Sequence, residues 1–267
     1  MAPKNHVDKF WHVDPSIDVW DPPLSPRGVL QSQKTGAYLT DLAKEKAALN
    51  HDFQLENVRV IIYTSPFQRC VETALGLARG FHEASQSAPG QPGTQHPLIR
   101  IEPGLSEWLN EQWFDEMRPA PRIVSRRLQE LAVANAQVSR YAAIDWGYKP
   151  AEPHFSFPEP FHTMLARFNS TRRRVLETLR RETEDMNGDE DMVVVWVTHG
   201  AGVNALLESF KGEPTVLETD YCCLSKIKWV GKDEEAGGGR RWGGKGEEGG
   251  RWVVQMEADD KHLKGFE

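Results

Sequence analysis

A chain of 267 residues allows one large α/β domain or two small ones, and 39% hydrophobic residues are enough to build a core. The net charge of −7 provides no basic field, so composition argues against a nucleic acid or an anionic membrane as partner. The three cysteines, Cys70, Cys222 and Cys223, lack metal-ligand spacing, and we find neither a signal peptide nor an apolar run of membrane-crossing length. We therefore expect an intracellular protein, cytoplasmic or nuclear, that uses no metal or cofactor and buries its cysteines as small packing residues.

The first half of the chain predicts the start of a parallel sheet. Residues 1–23 are polar and predict an extended lead-in that ends in a turn at Asp21-Pro22-Pro23. Ser25 and Pro26 predict the cap and first position of a helix that runs into 43–48. The β-branched run 58–63 predicts a buried strand, and Ser65, in the Thr64-Ser65-Pro66 that follows it, can cap the next helix. Strand, tight turn and helix together form the basic unit of a parallel sheet.

The middle of the chain is less regular. Residues 83–97 predict a flexible surface loop, followed by a short strand at 98–101. A helix is expected at 121–139, and the aromatic-rich loop 145–160 is interpreted as an insertion at the carboxyl edge of the sheet. Residues 161–184 carry apolar side chains at helical spacing and predict a long helix.

The last third contains the most hydrophobic run, 192–197, which predicts a central strand. It ends at Thr198-His199-Gly200, and 201–210 predicts the helix that follows. Two further strands, 222–230 and 252–256, flank the segment 231–251, where nine of 21 positions are glycine. We predict one domain over 1–230, a flexible glycine-rich and charged loop at 231–251, and a terminal strand and tail of the same domain at 252–267.

Two polar residues follow predicted strands at the edge where parallel sheets bind ligands. Arg69 lies near the start of the helix after Ser65, where a guanidinium can bind phosphate in a bidentate manner. His199 lies at the end of the run 192–197. Taken singly, each has an ordinary interpretation: Arg69 as a surface partner of Glu72, and His199 as a core histidine with satisfied hydrogen bonds.

Taken together, the sequence blocks carry a more specific signal. The runs Tyr63-Thr64-Ser65-Pro66-Phe67-Gln68-Arg69 and Val195-Trp196-Val197-Thr198-His199-Gly200 resemble two signature blocks of the histidine phosphatase (phosphoglycerate mutase-like) superfamily, in the expected order. The run Asp21-Pro22-Pro23-Leu24-Ser25-Pro26-Arg27-Gly28 resembles the block that follows the active-site loop, especially in fungal members. The resemblance covers about residues 8–230 and is weakest over 110–160.

The resemblance implies a three-layer α/β/α sandwich with a mostly parallel sheet, in which two histidines and two arginines surround a phosphoryl group. One histidine becomes phosphohistidine, and a carboxylic acid protonates the leaving oxygen and later activates water. At matching positions, Arg69 is the second arginine and His199 the second histidine, with Ser65 in the same phosphate pocket. Glu107 is the best match for the acid, and Glu111 and Asp115 are alternatives. The substrate would be a phosphorylated small molecule or a phosphoprotein.

One departure from the family pattern concerns the nucleophile. The family begins with a strand ending in Arg-His-Gly, and that tripeptide occurs nowhere in the 267 residues. We expect the missing strand and histidine to lie upstream of Met1, since His6 and His12 follow no apolar run that could form a central strand. The alternative is a non-catalytic phosphatase-like interaction module. A serine hydrolase is excluded because no Gly-x-Ser-x-Gly occurs, and the oligomeric state stays open.

Overall fold

The structure is a computed structural model that describes residues 18, 20–49, 58–86, 95–184, 191–231 and 250–265. Its helices are α1 (Pro26–Leu49), α2 (Gln68–Ser85), α3 (Ala120–Val138), α4 (Phe161–Glu184) and α5 (Gly200–Lys211). Its strands are β1 (Val58–Thr64), β2 (Leu98–Ile101), β3 (Ala143–Ile144), β4 (Asp191–Val197), β5 (Leu224–Val230) and β6 (Arg251–Asp259).

Four of the strands form a parallel sheet in the order β3-β2-β1-β4. The last residue of β1, Thr64, is in register with Ile101 of β2 on one side and with Val197 of β4 on the other. Three strands therefore end at the same level. The segments that follow them, beginning at Ser65, Glu102 and Thr198, emerge together at the carboxyl edge of the sheet.

Helices cover both faces of this sheet. Side chains on successive strand residues point to opposite faces, so β1 contributes to two cores. From β1, Val60 and Ile62 join a core that also contains residues of α2 and α3, with Leu39 of α1 packed against it. Ile61 and Tyr63 join a second core with residues of α4 and α5. The expected three-layer α/β/α sandwich with a parallel sheet is confirmed.

The position of β4 differs from the sequence-based expectation. The run 192–197 predicted a central strand, but among the described residues β4 pairs only with β1 and lies at the edge of the sheet. All its residues except Val197 are only half-buried, whereas β1 has a neighbour on each side and is almost entirely buried. Among the described strands, β4 therefore does not hold the expected central position, because an apolar run reports hydrophobicity and not the number of neighbouring strands.

Two local predictions about α2 also need correction. Ser65 does not cap the helix; α2 begins at Gln68 after Phe67, which makes no side-chain cap. At its other end, α2 continues to Ser85, so 83–85 are helical rather than part of a loop. The predicted loop residues 87–94 lie outside the described residues. The predicted cap of α1 is confirmed, because the backbone N–H of Gly28 donates to Ser25 Oγ at 3.1 Å.

The strands β5 and β6 form a separate antiparallel pair. Val230 is in register with Arg251, so the glycine-rich segment joins two hydrogen-bonded strands. The pair reaches the main sheet through α5, where the ring of Trp252 lies 5.2 Å from that of Phe210. Residues 232–249, which make up most of the predicted flexible loop, and residues 1–17 of the predicted lead-in lie outside the described residues. Within the described ranges, none of the helices combines the length and apolarity that crossing a membrane requires.

Candidate functional site

Arg69 is the second residue of α2, and its guanidinium lies at the carboxyl edge of the sheet. The side chain passes over the ring of Phe67, with Cζ 4.9 Å from the ring centroid. One terminal nitrogen, Nη1, donates to the backbone oxygen of Trp20 at 3.1 Å. The other, Nη2, lies 3.0 Å from Nδ1 of His199. Glu72, the partner considered from the sequence, instead accepts hydrogen bonds from Leu24 and Gln68.

His199 lies two residues after the end of β4 and directly precedes α5. Its imidazole is buried, yet both ring nitrogens have polar neighbours, since Nε2 lies 3.0 Å from Ser65 Oγ and Nδ1 faces Arg69. The ring of Phe67 packs edge-on against the imidazole at 5.1 Å. Ser65 is thus held beside His199, and its Oγ also accepts a hydrogen bond from the backbone N–H of Phe67 at 3.4 Å.

Glu107 completes the group from a third element, the loop after β2. Its Oε2 lies 3.3 Å from His199 Nδ1 and 3.7 Å from Arg69 Nη2. Its Oε1 accepts a hydrogen bond from the backbone N–H of Trp108 at 3.0 Å. The Glu107 side chain keeps 16% of its surface exposed, so the carboxyl group is enclosed but reachable.

Burial shifts the ionisation of these groups. The pKa of His199 lies well below its usual value because burial, reinforced by the charges of Arg69 and Arg167, disfavours the imidazolium. The pKa of Glu107 is raised because burial outweighs the opposing charges of Arg69 and Arg167. A neutral imidazole can accept a proton and a carboxyl with a raised pKa can donate one, which are the properties required for general acid and base chemistry.

The structure therefore brings Ser65, Arg69, Glu107 and His199 into one group of direct contacts. The two alternative acids, Glu111 and Asp115, are exposed and stand apart from that group of contacts. His6 and His12 lie outside the described residues. Among the side chains that the structure describes, no cluster of three or more histidine, cysteine or acidic residues could hold a metal ion.

Three neighbours of the site were not identified from the sequence. Trp20 and Asp21 hold the start of α2, because Asp21 Oδ1 accepts from the Gln68 N–H at 2.5 Å and Trp20 accepts from Arg69. Asp21 is also paired with Arg127 of α3, and both residues are buried.

Cys70 Sγ lies 3.5 Å from His199 Nε2, and burial raises the pKa of this thiol to about 12. Cys70 therefore contacts the imidazole as an un-ionised side chain, a position that the sequence did not indicate.

No protein-family model and no curated protein matches the chain. Several solved structures are similar to the chain. One is the ecdysone phosphate phosphatase from Bombix mori in complex with tungstate, with 22% identity and a TM-score of 0.50 over 78% of this chain and 69% of that one. Another is a mycobacterial glucosyl-3-phosphoglycerate phosphatase, with 17% identity and a TM-score of 0.47 over 89% of this chain and 88% of that one. The likeness to the ecdysone phosphate phosphatase shows that this chain has a phosphoglycerate mutase-like fold.

Proposed function

We propose that this chain provides the phosphate-binding and acid–base half of a phosphomonoester phosphatase of the histidine phosphatase superfamily, related to its fungal members and acting through a phosphohistidine intermediate. The observation that carries the proposal is the direct contact of Arg69, His199 and Glu107, contributed by three separate elements at one sheet edge.

Each group has a role in this proposal. Arg69 binds two oxygens of the phosphoryl group, since a guanidinium offers paired donors. His199, protonated once the phosphate is bound, stabilises a third oxygen, and Ser65 fixes the orientation of its ring through the 3.0 Å contact to Nε2. Glu107 protonates the leaving oxygen and then activates water, a task suited to a carboxyl with a raised pKa. The substrate is a phosphorylated small molecule or a phosphoprotein in the cell interior.

The phosphate-accepting histidine is not among these residues in the proposed scheme. The 267 residues contain no Arg-His-Gly, and the outer edge of β4 has no partner among the described strands. A strand placed there would end beside His199, at the same edge of the sheet. This proposal predicts that the 267 residues bind oxyanions and have little phosphatase activity.

The lack of Arg-His-Gly also favours a second candidate, a non-catalytic module that keeps the fold and a weakened anion site for binding partners. The two candidates differ in chemistry. A phosphatase regains turnover when a strand bearing the nucleophile is present, whereas an interaction module does not.

Tungstate binding measured by calorimetry tests the proposed site. We expect Arg69→Gln to weaken binding by about tenfold or more, because it removes a charged bidentate donor. Arg79→Gln is the matched control, since Arg79 lies on the same helix but is exposed and pairs with Glu83. Equal affinities for the wild type and Arg69→Gln, or equal losses in both variants, would contradict the proposal.

A further inference from the structure

Arg167 of α4 is a buried arginine that lies against the loop carrying Glu107. It forms a two-pronged ion pair with Glu159, from Nε to Oε1 at 2.8 Å and from Nη2 to Oε2 at 2.7 Å. Its three remaining N–H groups point at backbone oxygens of the loop. Nη1 donates to Gly104 at 2.8 Å and to Ser106 at 3.0 Å, and Nη2 donates to Glu107 at 3.0 Å. All five donors of the guanidinium are thus used.

The backbone carbonyl of Leu105, between those of Gly104 and Ser106, also accepts a side-chain hydrogen bond. Thr198 Oγ1 donates to the backbone oxygen of Leu105 at 2.8 Å. Four successive carbonyls, from residue 104 to residue 107, therefore accept a side-chain hydrogen bond. Since Thr198 directly precedes His199, the same contacts tie the loop of Glu107 to the strand end that carries the histidine.

Stability alone is a weak reason for such an arrangement. Removing two charges from water is costly, and well-packed apolar residues in place of a buried ion pair are often neutral or stabilising. A catalytic group, by contrast, has to be held within about 0.5 Å of its productive position by packing and by supporting hydrogen bonds. A guanidinium held by Glu159 whose three other donors all meet one short loop supplies such support.

We propose that Arg167, itself oriented by Glu159, is a positioning residue that fixes the Glu107 carboxyl against Arg69 and His199. The inference rests on the proposed function, in which Glu107 is the acid. With its backbone held by Arg167 and its Oε1 by the Trp108 N–H, Glu107 directs Oε2 towards the histidine and Arg69.

The ionisation of Glu107 reports this arrangement. The charged or titratable groups that face it are Arg69 of α2, Arg167 of α4 and His199 at the end of β4, with the Cys70 thiol nearby. Burial is the largest influence and raises the pKa of Glu107. If the loop loosens, water reaches the carboxyl group and its pKa falls.

The experiment follows the carbon-13 carboxyl resonance of Glu107 during a pH titration, with Glu107→Gln to assign it. Arg167→Lys keeps the charge but loses the five-donor geometry. We expect the Glu107 midpoint to fall by about 1 pH unit, a shift comparable to the normal spread of carboxyl values in proteins.

Arg100→Lys is the matched control. Arg100 is also buried, and it pairs with Asp145 at 2.8 Å and Glu182 at 2.9 Å rather than with the loop of Glu107. Both variants should lose stability, but only Arg167→Lys should move the Glu107 midpoint. An unchanged midpoint in Arg167→Lys, or an equal shift in Arg100→Lys, would show that Arg167 is merely structural.

Two further outcomes are distinguishable. If Arg167→Lys does not fold, Thr198→Val has to lower the Glu107 midpoint, because it removes the bond to Leu105 without changing charge. An unchanged midpoint in Thr198→Val would then overturn the proposal. If the midpoint falls as expected but tungstate binding does not depend on Arg69, the proposed function fails and the positioning role stands.

Discussion

Arg69 and His199 lie in direct contact, with a guanidinium nitrogen 3.0 Å from Nδ1 of the imidazole. A guanidinium can only donate, so Nδ1 accepts and the proton of the neutral ring resides on Nε2, from which it is donated to Ser65 Oγ. The pKa of His199, lowered by burial and by the charges of Arg69 and Arg167, agrees with this neutral form. The free protein thus holds an uncharged histidine where the proposed chemistry requires a charged one.

Binding of an oxyanion is therefore expected to take up a proton. A dianion beside His199 stabilises the imidazolium and raises its pKa, so near neutral pH the ring gains a proton when tungstate binds. Calorimetry in buffers of different ionisation enthalpy measures this uptake. In His199→Asn the uptake should vanish while weak binding remains. Tungstate binding without proton uptake in the wild type would argue against the proposed charge on His199.

Glu107→Gln is expected to stabilise the fold at neutral pH. Burial raises the pKa of Glu107, so the folded state binds this proton more tightly than the unfolded state. The stability that this proton provides is lost as pH rises from the ordinary carboxyl value of about 4.3 through the raised value. Urea unfolding should show a gain for the variant at neutral pH that shrinks in mild acid. Exposed Glu111→Gln is the control, and an equal gain there would contradict the assignment.

Gly80→Ala tests the close contact of α1 and α2. A Cβ at Gly80 would lie 1.9 Å from the backbone oxygen of Gln33, and backbone atoms move less readily than side chains. We expect a loss of about 2 kcal/mol or more in the free energy of unfolding. At Gly147 the nearest atom to an added Cβ is 3.7 Å away, so Gly147→Ala should change stability by less than about 0.5 kcal/mol. Similar values for both would disprove the packing of the two helices.

The segment between β5 and β6 is expected to be dispensable for folding. Because Val230 and Arg251 are in register, a short Asn-Gly turn can replace residues 232–249 and still join the strands. Thermal unfolding should change by only a few degrees. The control is the same replacement in Trp252→Ala, which lacks the ring packed on Phe210 and should unfold at a lower temperature. A large loss from the replacement alone would mean that the segment contributes to the fold.

Local patterns in the sequence predicted most elements of the fold. The cap at Ser25 and the strand at 98–101 were correct because they depend on a few neighbouring residues. The place of β4 in the order of the described strands was not predictable, since it depends on which strands are neighbours in space. For Ser65 the predicted helix cap was wrong, whereas the resemblance had placed it in the same pocket as His199, and the structure puts its hydroxyl 3.0 Å from Nε2.

The candidate site could be predicted where a motif carried it, and the supporting contacts could not. Arg69 and His199 stand in recognisable sequence blocks, and the structure places them in contact. The role proposed for Arg167 depends on a loop more than 60 positions upstream in the chain, as in its bond to Gly104. Arg167 lies among other basic residues of α4, so its residue type gave no signal that distinguished it.

The last prediction concerns catalysis: the 267 residues should hydrolyse p-nitrophenyl phosphate only weakly. The proposed route needs a histidine that attacks phosphorus, and none of the described residues near Arg69 other than His199 is a histidine. His199 is buried against Ser65 and Cys70, which leaves it suited to binding rather than attack. Deleting one member of a concerted catalytic group typically reduces rates by several orders of magnitude, so residual turnover should be close to that of the His199→Ala control.

A longer form whose upstream sequence supplies a strand ending in Arg-His-Gly should be active, because such a strand can pair with the outer edge of β4 and bring its histidine next to Arg69. In that form, His199→Ala and Arg69→Gln should each reduce kcat/KM by about a hundredfold or more, since each removes a donor to the transition-state charge. Rapid turnover by the 267 residues that disappears on mutation of His6 or His12 would instead identify a relocated nucleophile and contradict the prediction. Inactivity of the longer form, with tungstate binding intact, would favour the interaction module.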